Sequence, residues 1–291
     1  MNKRKFEIVT DSGADMPKDF YEKNNLICVP LGFTMNNVNY EGEHGEKITP
    51  KAFYAKLREG AMPTTYQVTA EQAKRYIEPC LQKGKDVLVV CFSSGLSGTA
   101  GSFRVAAREL FKAYPKRKIK VVDSLCASMG EGLLLDYVIR KADEGYTLEE
   151  TAKYAEKLKG KICHWFTVDN LFHLKRGGRV SGASAVLGSI LKIKPVMRMN
   201  EQGKLEVVSK VMGRKKALTA LVERLCEGMD IGENDPIFIS HGDCQEDVDF
   251  VAGLIRERLN KVRIETHYIG AVIGSHSGAG TLAVFFKGKC R

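Results

Sequence analysis

Residues 86–103 read DVLVVCFSSGLSGTAGSF, and this stretch decides the fold of the 291-residue chain. The apolar, β-branched run 87–92 predicts a buried strand, and the glycine- and serine-rich run 93–99 predicts a tight turn. Residues 100–114 have the composition of a helix. At such a turn the free N–H groups at the start of the helix and the serine hydroxyls converge on one point. The stretch therefore indicates a site for a small anion, either a phosphate or a carboxylate.

On both sides of this unit, strand-like and helical runs alternate through the first half of the chain. We predict strands at 5–10, 26–33 and 118–122, and helices at 50–58, 70–83, 128–144 and 148–159. Apolar strands that alternate with helices are typical of a parallel sheet covered by helices. Residues 1–160 are therefore predicted to form an N-terminal α/β domain with a mainly parallel sheet.

After about residue 160 the pattern changes. Two strand-like runs, 190–199 and 204–211, are joined by a short polar turn at 200–203, which predicts an antiparallel hairpin. Further strands are predicted at 162–168, 236–240, 262–268 and 281–287, and helices at 169–174, 213–230 and 245–260. Residues 161–291 are therefore predicted to form a C-terminal α/β domain with a mixed sheet, which makes the fold class α/β with two domains.

Composition limits the class of protein. Of the residues, 44% are hydrophobic and 27% charged, as in globular proteins. Because no apolar run approaches the roughly 20 residues of a membrane helix and the start of the chain does not resemble a signal peptide, we expect a cytoplasmic protein. The net charge of +10 suits an acidic partner protein or transient contact with an anionic membrane surface. No nucleic-acid-binding motif accompanies the charge, so no nucleic-acid partner is expected.

The cysteines do not suggest a metal site. The eight cysteines are scattered and form no C-x-x-C pair, which predicts buried free thiols. His241, Asp243 and Cys244 stand close together, but no second cluster accompanies them. We therefore expect no metal and no cofactor.

Four polar loops, at 10–15, 63–67, 93–99 and 274–280, flank predicted strands, where ligands collect in α/β sheets. Each loop is also compatible with a plain turn or helix cap. The G-x-S-x-G pattern of hydrolases is incomplete, because Thr99 replaces the second glycine of one candidate and His276 the serine of the other. A serine hydrolase acting on acyl esters, with Ser94 as nucleophile, His276 as base and Asp11 as the orienting acid, remains the alternative hypothesis.

The run 175–179, Lys-Arg-Gly-Gly-Arg, carries three cations around two glycines. It is compatible with a helix end whose basic residues face the helix dipole. It is equally compatible with a cationic loop that meets phosphate or an acidic partner.

Several stretches together resemble the DegV family, the bacterial fatty-acid-binding proteins that serve as the acyl carrier subunit of fatty acid kinase and so supply phospholipid metabolism. The matching stretches, in the family's order, are IVTDSGADMP (8–17), PTTYQ (63–67), FSSGLSGT (92–99), VVDSLCASMGEG (121–132), LKRGGRVSG (174–182), LKIKPVM (191–197) and GSHSGAG (274–280). They span nearly the whole chain, and each one alone is a weak signal.

The resemblance implies that the chain holds one long-chain fatty acid at and within its domain interface and presents it to a partner kinase, without catalysing a reaction itself. It implies that Thr65, Ser94 and His276 hold the ligand carboxylate. Supporting positions in the same loops are Ser93, Gly95, Ser97, Gly98, Gln67, Ser277 and Gly278. Arg176 and Arg179 are the expected docking residues for the kinase or its phosphate.

The chain departs from the family pattern at two positions. Tyr66 replaces a small residue after the threonine, and Ala279 replaces a proline in the glycine-rich loop. We expect Tyr66 to affect access to the head group and Ala279 to affect the loop that carries His276.

Overall fold

The computed structural model describes residues 4–41, 48–180, 192–232, 235–259 and 261–291. The strands are β1 (Phe6–Asp11), β2 (Ile27–Val29), β3 (Gly32–Met35), β4 (Val38–Glu41), β5 (Thr64–Tyr66), β6 (Asp86–Cys91), β7 (Ile119–Asp123), β8 (Ile162–Thr167), β9 (Ile193–Met199), β10 (Leu205–Met212), β11 (Pro236–His241), β12 (Arg263–Tyr268) and β13 (Leu282–Lys287). The helices are α1 (Lys18–Lys23), α2 (Pro50–Arg58), α3 (Ala70–Gln82), α4 (Thr99–Ala113), α5 (Met129–Asp143), α6 (Leu148–Leu158), α7 (Phe172–Arg176), α8 (Arg214–Gly228), α9 (Gln245–Arg258) and α10 (Ala271–Ser277).

The first sheet has the strand order β2-β1-β6-β7, and every neighbouring pair is parallel. Its central strands are buried on both faces, because alternate side chains point to opposite sides. Val87 and Val89 pack in the core beneath α3 and α4, whereas Leu88 and Val90 pack in the core that contains α5. The predicted parallel sheet is confirmed.

The second sheet has the order β10-β9-β8-β13-β11-β12. Only β11 and β12 pair in parallel, and the other neighbours are antiparallel, including the predicted β9–β10 hairpin. The mixed sheet is therefore confirmed. One face packs on α8 and α9, and the other packs on α5.

Helix α5 lies between these two sheets. Its leucines share one core with Leu88 of the first sheet and Phe285 of the second. Close packing requires glycine near the start of the helix, since a Cβ atom at Gly130 would lie 2.1 Å from Nε2 of the buried His164. The core is continuous across α5, and the division into two domains near residue 160 stays a prediction.

Three expectations about local structure are wrong. The run 26–33 forms two strands in different sheets, because Pro30 lacks an N–H and separates β2 from β3. Strand β3 lies in a small antiparallel sheet, β4-β3-β5, so the loop 63–67 contains a strand. The glycine-rich loop 274–280 begins inside helix α10, where Gly274 packs closely on Tyr54.

Two further observations concern the chain ranges given above. None of the helices in them combines the length and the apolar character needed to cross a membrane. The predicted strand 190–199 begins before residue 192, and the motif 174–182 continues past residue 180. Those two parts lie outside the described residues.

Candidate functional site

A cavity of about 320 Å³ lies between the turn at 93–99, helix α10 and the α5-facing side of the second sheet. Its volume is at the lower end of the roughly 300–1,000 Å³ that small-molecule pockets occupy. Most of its wall is apolar, with large contributions from Phe92, Leu96, Phe166, Met199, Ile273 and Phe285. The wall also contains polar residues, among them Thr65, Gln67, Ser97, Arg179, His276 and Ser277. The cavity therefore suits a ligand with a long apolar part and a small polar group.

Thr65 and His276 meet at this cavity although 211 residues separate them. Thr65 lies in β5 opposite Phe33, and His276 lies in the last turn of α10. The distance between Thr65 Oγ1 and His276 Nε2 is 2.7 Å. Two elements far apart in the sequence thus build one polar contact.

His276 is neutral at pH 7. Burial, followed by the charges of Arg179 and Arg176, lowers the pKa of its imidazole from 6.5 to about 4. Its Nδ1 is buried against Gly177, where a Cβ atom would lie 2.2 Å from that nitrogen. Nδ1 has no hydrogen-bond partner among the described residues.

The direction of the Thr65–His276 hydrogen bond is assigned from these facts. A buried N–H without a partner is rarer than an acceptor without one, so we place the imidazole proton on Nε2. Nε2–H then donates to Thr65 Oγ1. The hydroxyl proton of Thr65 remains free to point into the cavity, where it can bind an anion.

The turn at 93–99 places its three serines differently. Ser93 is buried, and its hydroxyl donates to the Gly203 carbonyl at 2.8 Å. The backbone N–H of Ser94 donates to Asp123, while its side chain is exposed and is not part of the cavity wall. Ser97 does line the cavity, 2.9 Å from the Thr99 hydroxyl.

The backbone explains this outcome. The N–H groups of Leu96 and Ser97 both donate to the Ser93 carbonyl, so the turn folds back. Of the three serines in the turn, Ser97 is the one in the wall of the cavity that Thr65 and His276 also line.

Three other residues predicted to support the site, Gln67, Gly95 and Gly278, make contacts or turns within the loops around the cavity. Gln67 lines the cavity, donates to the Ser102 hydroxyl, and packs on Gly98 at the start of α4. Gly95 donates its N–H to Ser93 Oγ. Gly278 ends α10 with φ 82°.

Ser277 is a polar group that still lacks a partner. It lines the cavity, its side chain is buried, and Oγ has no hydrogen-bond partner in the described part of the chain. Its Oγ atom is itself fully buried, so a contact with a ligand would require the side chain to turn towards the cavity.

The two arginines after α7 tie the loops around the cavity together. Arg176 donates to the carbonyls of Pro63 and Ser275, and Arg179 donates to the Leu96 carbonyl. The backbone at 177–179 also ends helix α7, because the Arg179 N–H bonds back to Leu174. A docking role for either arginine stays a prediction.

The structure does not assemble the hydrolase triad. The exposed Ser94 lies off the cavity wall, and the described partner of His276 Nε2 is Thr65. Asp11 accepts hydrogen bonds from the backbone N–H groups of Gly13 and Phe92. These hydrogen bonds show that the Asp11 carboxyl group holds the backbone before the turn at 93–99, and neither of them involves a histidine ring.

No cluster of three or more His, Cys, Asp or Glu side chains within the described ranges is placed to hold a metal ion. In the short run at 241–244, the Cys244 N–H donates to His241 Nδ1, so that ring nitrogen already has a partner. All eight cysteines are free thiols, and only Cys290 is exposed.

Comparison with known proteins agrees with this architecture. A family model described as "Uncharacterised protein, DegV family" matches residues 5–289. The chain belongs to the DegV family. A DegV domain-containing protein of Clostridium perfringens is 43% identical over 288 residues, which cover 99% of each chain.

Solved DegV structures share the fold. A fatty-acid-binding DegV family protein of Thermus thermophilus superposes with a TM-score of 0.88 at 30% identity, covering 98% of this chain and 99% of the other. DegV of Bacillus subtilis, described as a fatty acid binding protein, gives a TM-score of 0.83 at 28% identity, covering 98% of this chain and all of the other.

Two buried carboxyl groups beneath the turn give a testable pH dependence. Burial, opposed by two backbone hydrogen bonds, raises the pKa of Asp11 from 3.8 to about 7. Burial and the nearby Asp11 raise the pKa of Glu131 well above its ordinary value, and Glu131 Oε2 has no partner among the described residues. Both groups therefore hold their protons to higher pH in the folded state than in the unfolded state.

We expect the contribution of Asp11 to the free energy of unfolding to fall as pH rises from about 4 to 7 and to be constant above that. Buried histidines with a lowered pKa, His276 among them, contribute in the opposite direction over part of this interval, so the difference between the wild type and Asp11→Asn isolates the carboxyl group. The unfolded chain releases the Asp11 proton near pH 3.8, whereas the folded chain holds it until about pH 7. This difference in the pKa of Asp11 corresponds to a change of at most about 4 kcal/mol in the free energy of unfolding. Urea unfolding of both proteins at pH 5.5 and 7.5 measures the effect: relative to Asp11→Asn, the wild type should lose stability between the two pH values. An equal change in the two proteins would contradict the assignment.

Proposed function

We propose that this protein binds one long-chain fatty acid, with the hydrocarbon tail in the cavity and the carboxylate at Thr65. The observation that carries the proposal is an apolar cavity with the Thr65–His276 pair in its wall. The fatty-acid-binding relatives of similar fold support it.

The tail supplies most of the affinity. Transfer of roughly sixteen methylenes from water at about 0.8 kcal/mol each is worth about 13 kcal/mol before the cost of association. A buried carboxylate without partners would cost several kcal/mol. The polar groups therefore fix which end of the ligand lies at Thr65, even where their net contribution to affinity is small.

Each polar residue has a separate role in this proposal. Thr65 donates its hydroxyl proton to the carboxylate, and His276 holds the Thr65 hydroxyl in the orientation that permits this. Ser97 adds a further hydroxyl to the wall, 2.9 Å from Thr99 Oγ1. The carboxylate contact that the family resemblance implies for Ser94 stays a prediction, and Ser97 is proposed as a second candidate because it lies in the cavity wall.

We further propose that the protein presents its ligand to a partner kinase in the cytoplasm, where ATP is available. Thr65 is partly exposed and its neighbours Tyr66 and Gln67 are exposed, whereas the apolar cavity wall lies deeper. A carboxylate oxygen at Thr65 would attack the γ-phosphorus of ATP, the bond to the bridging oxygen would break, and ADP would leave. The products are an acyl phosphate and ADP, and the catalytic groups belong to the kinase.

Binding of stearate and of its methyl ester to the purified protein tests the proposed binding function. The ester keeps the tail and removes the charge. We expect stearate to saturate at one per protein and the ester to bind about tenfold or more weakly, because a hydrogen bond to a charged group is stronger than one to a neutral group. Equal affinities would contradict the carboxylate site, and hydrolysis of the ester by the protein alone would favour an enzyme.

A further inference from the structure

Strand β5, which carries Thr65, is short and lies at the edge of its sheet. It consists of residues 64–66, and among the described strands it pairs only with β3. The hydrogen bond between Thr65 Oγ1 and His276 Nε2 depends on the place of this strand, because a shift of β5 moves the hydroxyl. The contacts that hold β5 therefore also set the position of the group proposed to bind the carboxylate.

The two faces of the small sheet β4-β3-β5 have different surroundings. Thr65 is opposite Phe33, whose side chain is buried in the core formed with α2 and α10. Gly32 and Tyr66 are the next pair in the register, and because side chains alternate along a strand they belong to the other face. That face is the outer one, where Tyr66 is 41% exposed.

On this outer face the ring of Tyr66 lies directly on Gly32. A Cβ atom at Gly32 would lie 2.1 Å from Cζ and 2.3 Å from the hydroxyl oxygen of the tyrosine. The hydroxyl donates to the Tyr40 carbonyl in β4 at 3.0 Å, so one side chain of β5 spans both other strands of the sheet. A glycine within a strand has no side chain to pack, and an aromatic ring on the neighbouring strand fills that place.

The backbone on either side of β5 has separate contacts. Arg176 donates to the Pro63 carbonyl before the strand, and Gln67 donates to the Ser102 hydroxyl after it. These contacts do not involve the ring of Tyr66. We therefore expect the chain to remain folded without the ring, with β5 less precisely placed against β3.

We propose that Tyr66 is a positioning residue that holds strand β5 through its contact with Gly32, so that the Thr65 hydroxyl meets the ligand carboxylate. Residue 66 also borders the cavity, but its ring lies on the opposite face of the sheet from Thr65, and it acts through the strand. This role rests on the proposed fatty-acid binding and adds a residue that determines specificity for the charged head group.

The ratio of the affinities for stearate and its methyl ester tests this role. A substitution that only loosens the fold lowers the binding-competent fraction and weakens both ligands alike, so it leaves the ratio unchanged. A displaced Thr65 hydroxyl weakens the charged ligand selectively. From a wild-type ratio of about tenfold or more, Tyr66→Ala should lower the ratio to about twofold. Tyr66→Phe keeps the ring on Gly32 and should stay within about twofold of the wild type, because water can bind the exposed Tyr40 carbonyl.

Gly32→Ala tests the same contact from the neighbouring strand. Its Cβ atom displaces the ring, so this variant should lower the ratio as Tyr66→Ala does. When Tyr66→Ala is already present there is no ring to displace, and adding Gly32→Ala should change the ratio by less than about twofold. The matched control is Tyr146→Ala, which removes a tyrosine that is 44% exposed between α5 and α6 and should leave the ratio unchanged.

The results separate the positioning role from the proposed function. If the wild type prefers stearate and folded Tyr66→Ala and Gly32→Ala proteins keep that preference, the positioning role is wrong and the proposed function stands. If the effects of the two substitutions add, their contact is not the cause and the role is overturned. If the wild type binds no stearate, the proposed function fails. Either single variant decides the first point if the other does not fold.

Discussion

Replacing Ala283 with phenylalanine should weaken fatty-acid binding more than a hundredfold while the protein remains folded. Ala283 lies on the cavity face of β13, opposite Phe166 and Ser240, and lines the cavity. A phenyl ring at this position occupies space that the tail needs. Excluding about four methylenes at about 0.8 kcal/mol each weakens binding by about 3 kcal/mol, which is more than a hundredfold.

The control for this variant is Ala113→Phe at the exposed end of α4, which adds the same ring away from the cavity. Urea unfolding of both variants reports on the fold, and displacement of a fluorescent fatty acid reports on binding. Because the ring enters empty space and not a filled core, we expect Ala283→Phe to cost less than the usual 1–3 kcal/mol of overpacking. Unchanged affinity in a folded Ala283→Phe protein would move the tail out of this cavity.

The second large loss of fatty-acid affinity is expected for the variant Thr65→Val. Thr65→Val keeps the shape of the side chain and removes the hydroxyl that donates to the carboxylate. It also leaves the His276 Nε2–H without its acceptor. Loss of a hydrogen bond to a charged group costs about 1.5–3 kcal/mol, so stearate should bind about tenfold to a hundredfold more weakly.

Thr64→Val is the matched control, because Thr64 is the exposed neighbour in the same strand. The methyl ester should lose less affinity than stearate in Thr65→Val. A double-mutant cycle with His276→Ala tests the role of the imidazole: if His276 acts through Thr65, the two effects should not add. Additive losses would mean that His276 contacts the ligand independently.

The sequence predicted the two large sheets because their signals are local. The run 87–91 is continuously apolar and forms most of β6, buried on both faces of the first sheet. The polar turn at 200–203 gives the β9–β10 hairpin for the same reason. Helix α10 was missed because its glycines and serines resemble a loop, and its helical form depends on packing against α2 and α7.

The site was less predictable from local sequence. The turn at 93–99 was identified, but which serine faces the cavity depends on the hydrogen bonds to the Ser93 carbonyl. No local pattern connects Thr65 with His276, so only the family resemblance could pair them. The contact of Ser128 Oγ with Asp15 Oδ2 depends on a positive φ at both residues, which residue type does not indicate.

Quantifying the lipid that co-purifies with the folded protein tests fatty-acid binding most directly. The purified protein is denatured, extracted with organic solvent, and the extract is analysed by mass spectrometry against a known amount of protein. We expect close to one long-chain fatty acid per protein from the wild type and almost none from Ala283→Phe. A folded wild-type protein that yields no fatty acid, and that takes up none when stearate is added, would contradict the proposed function.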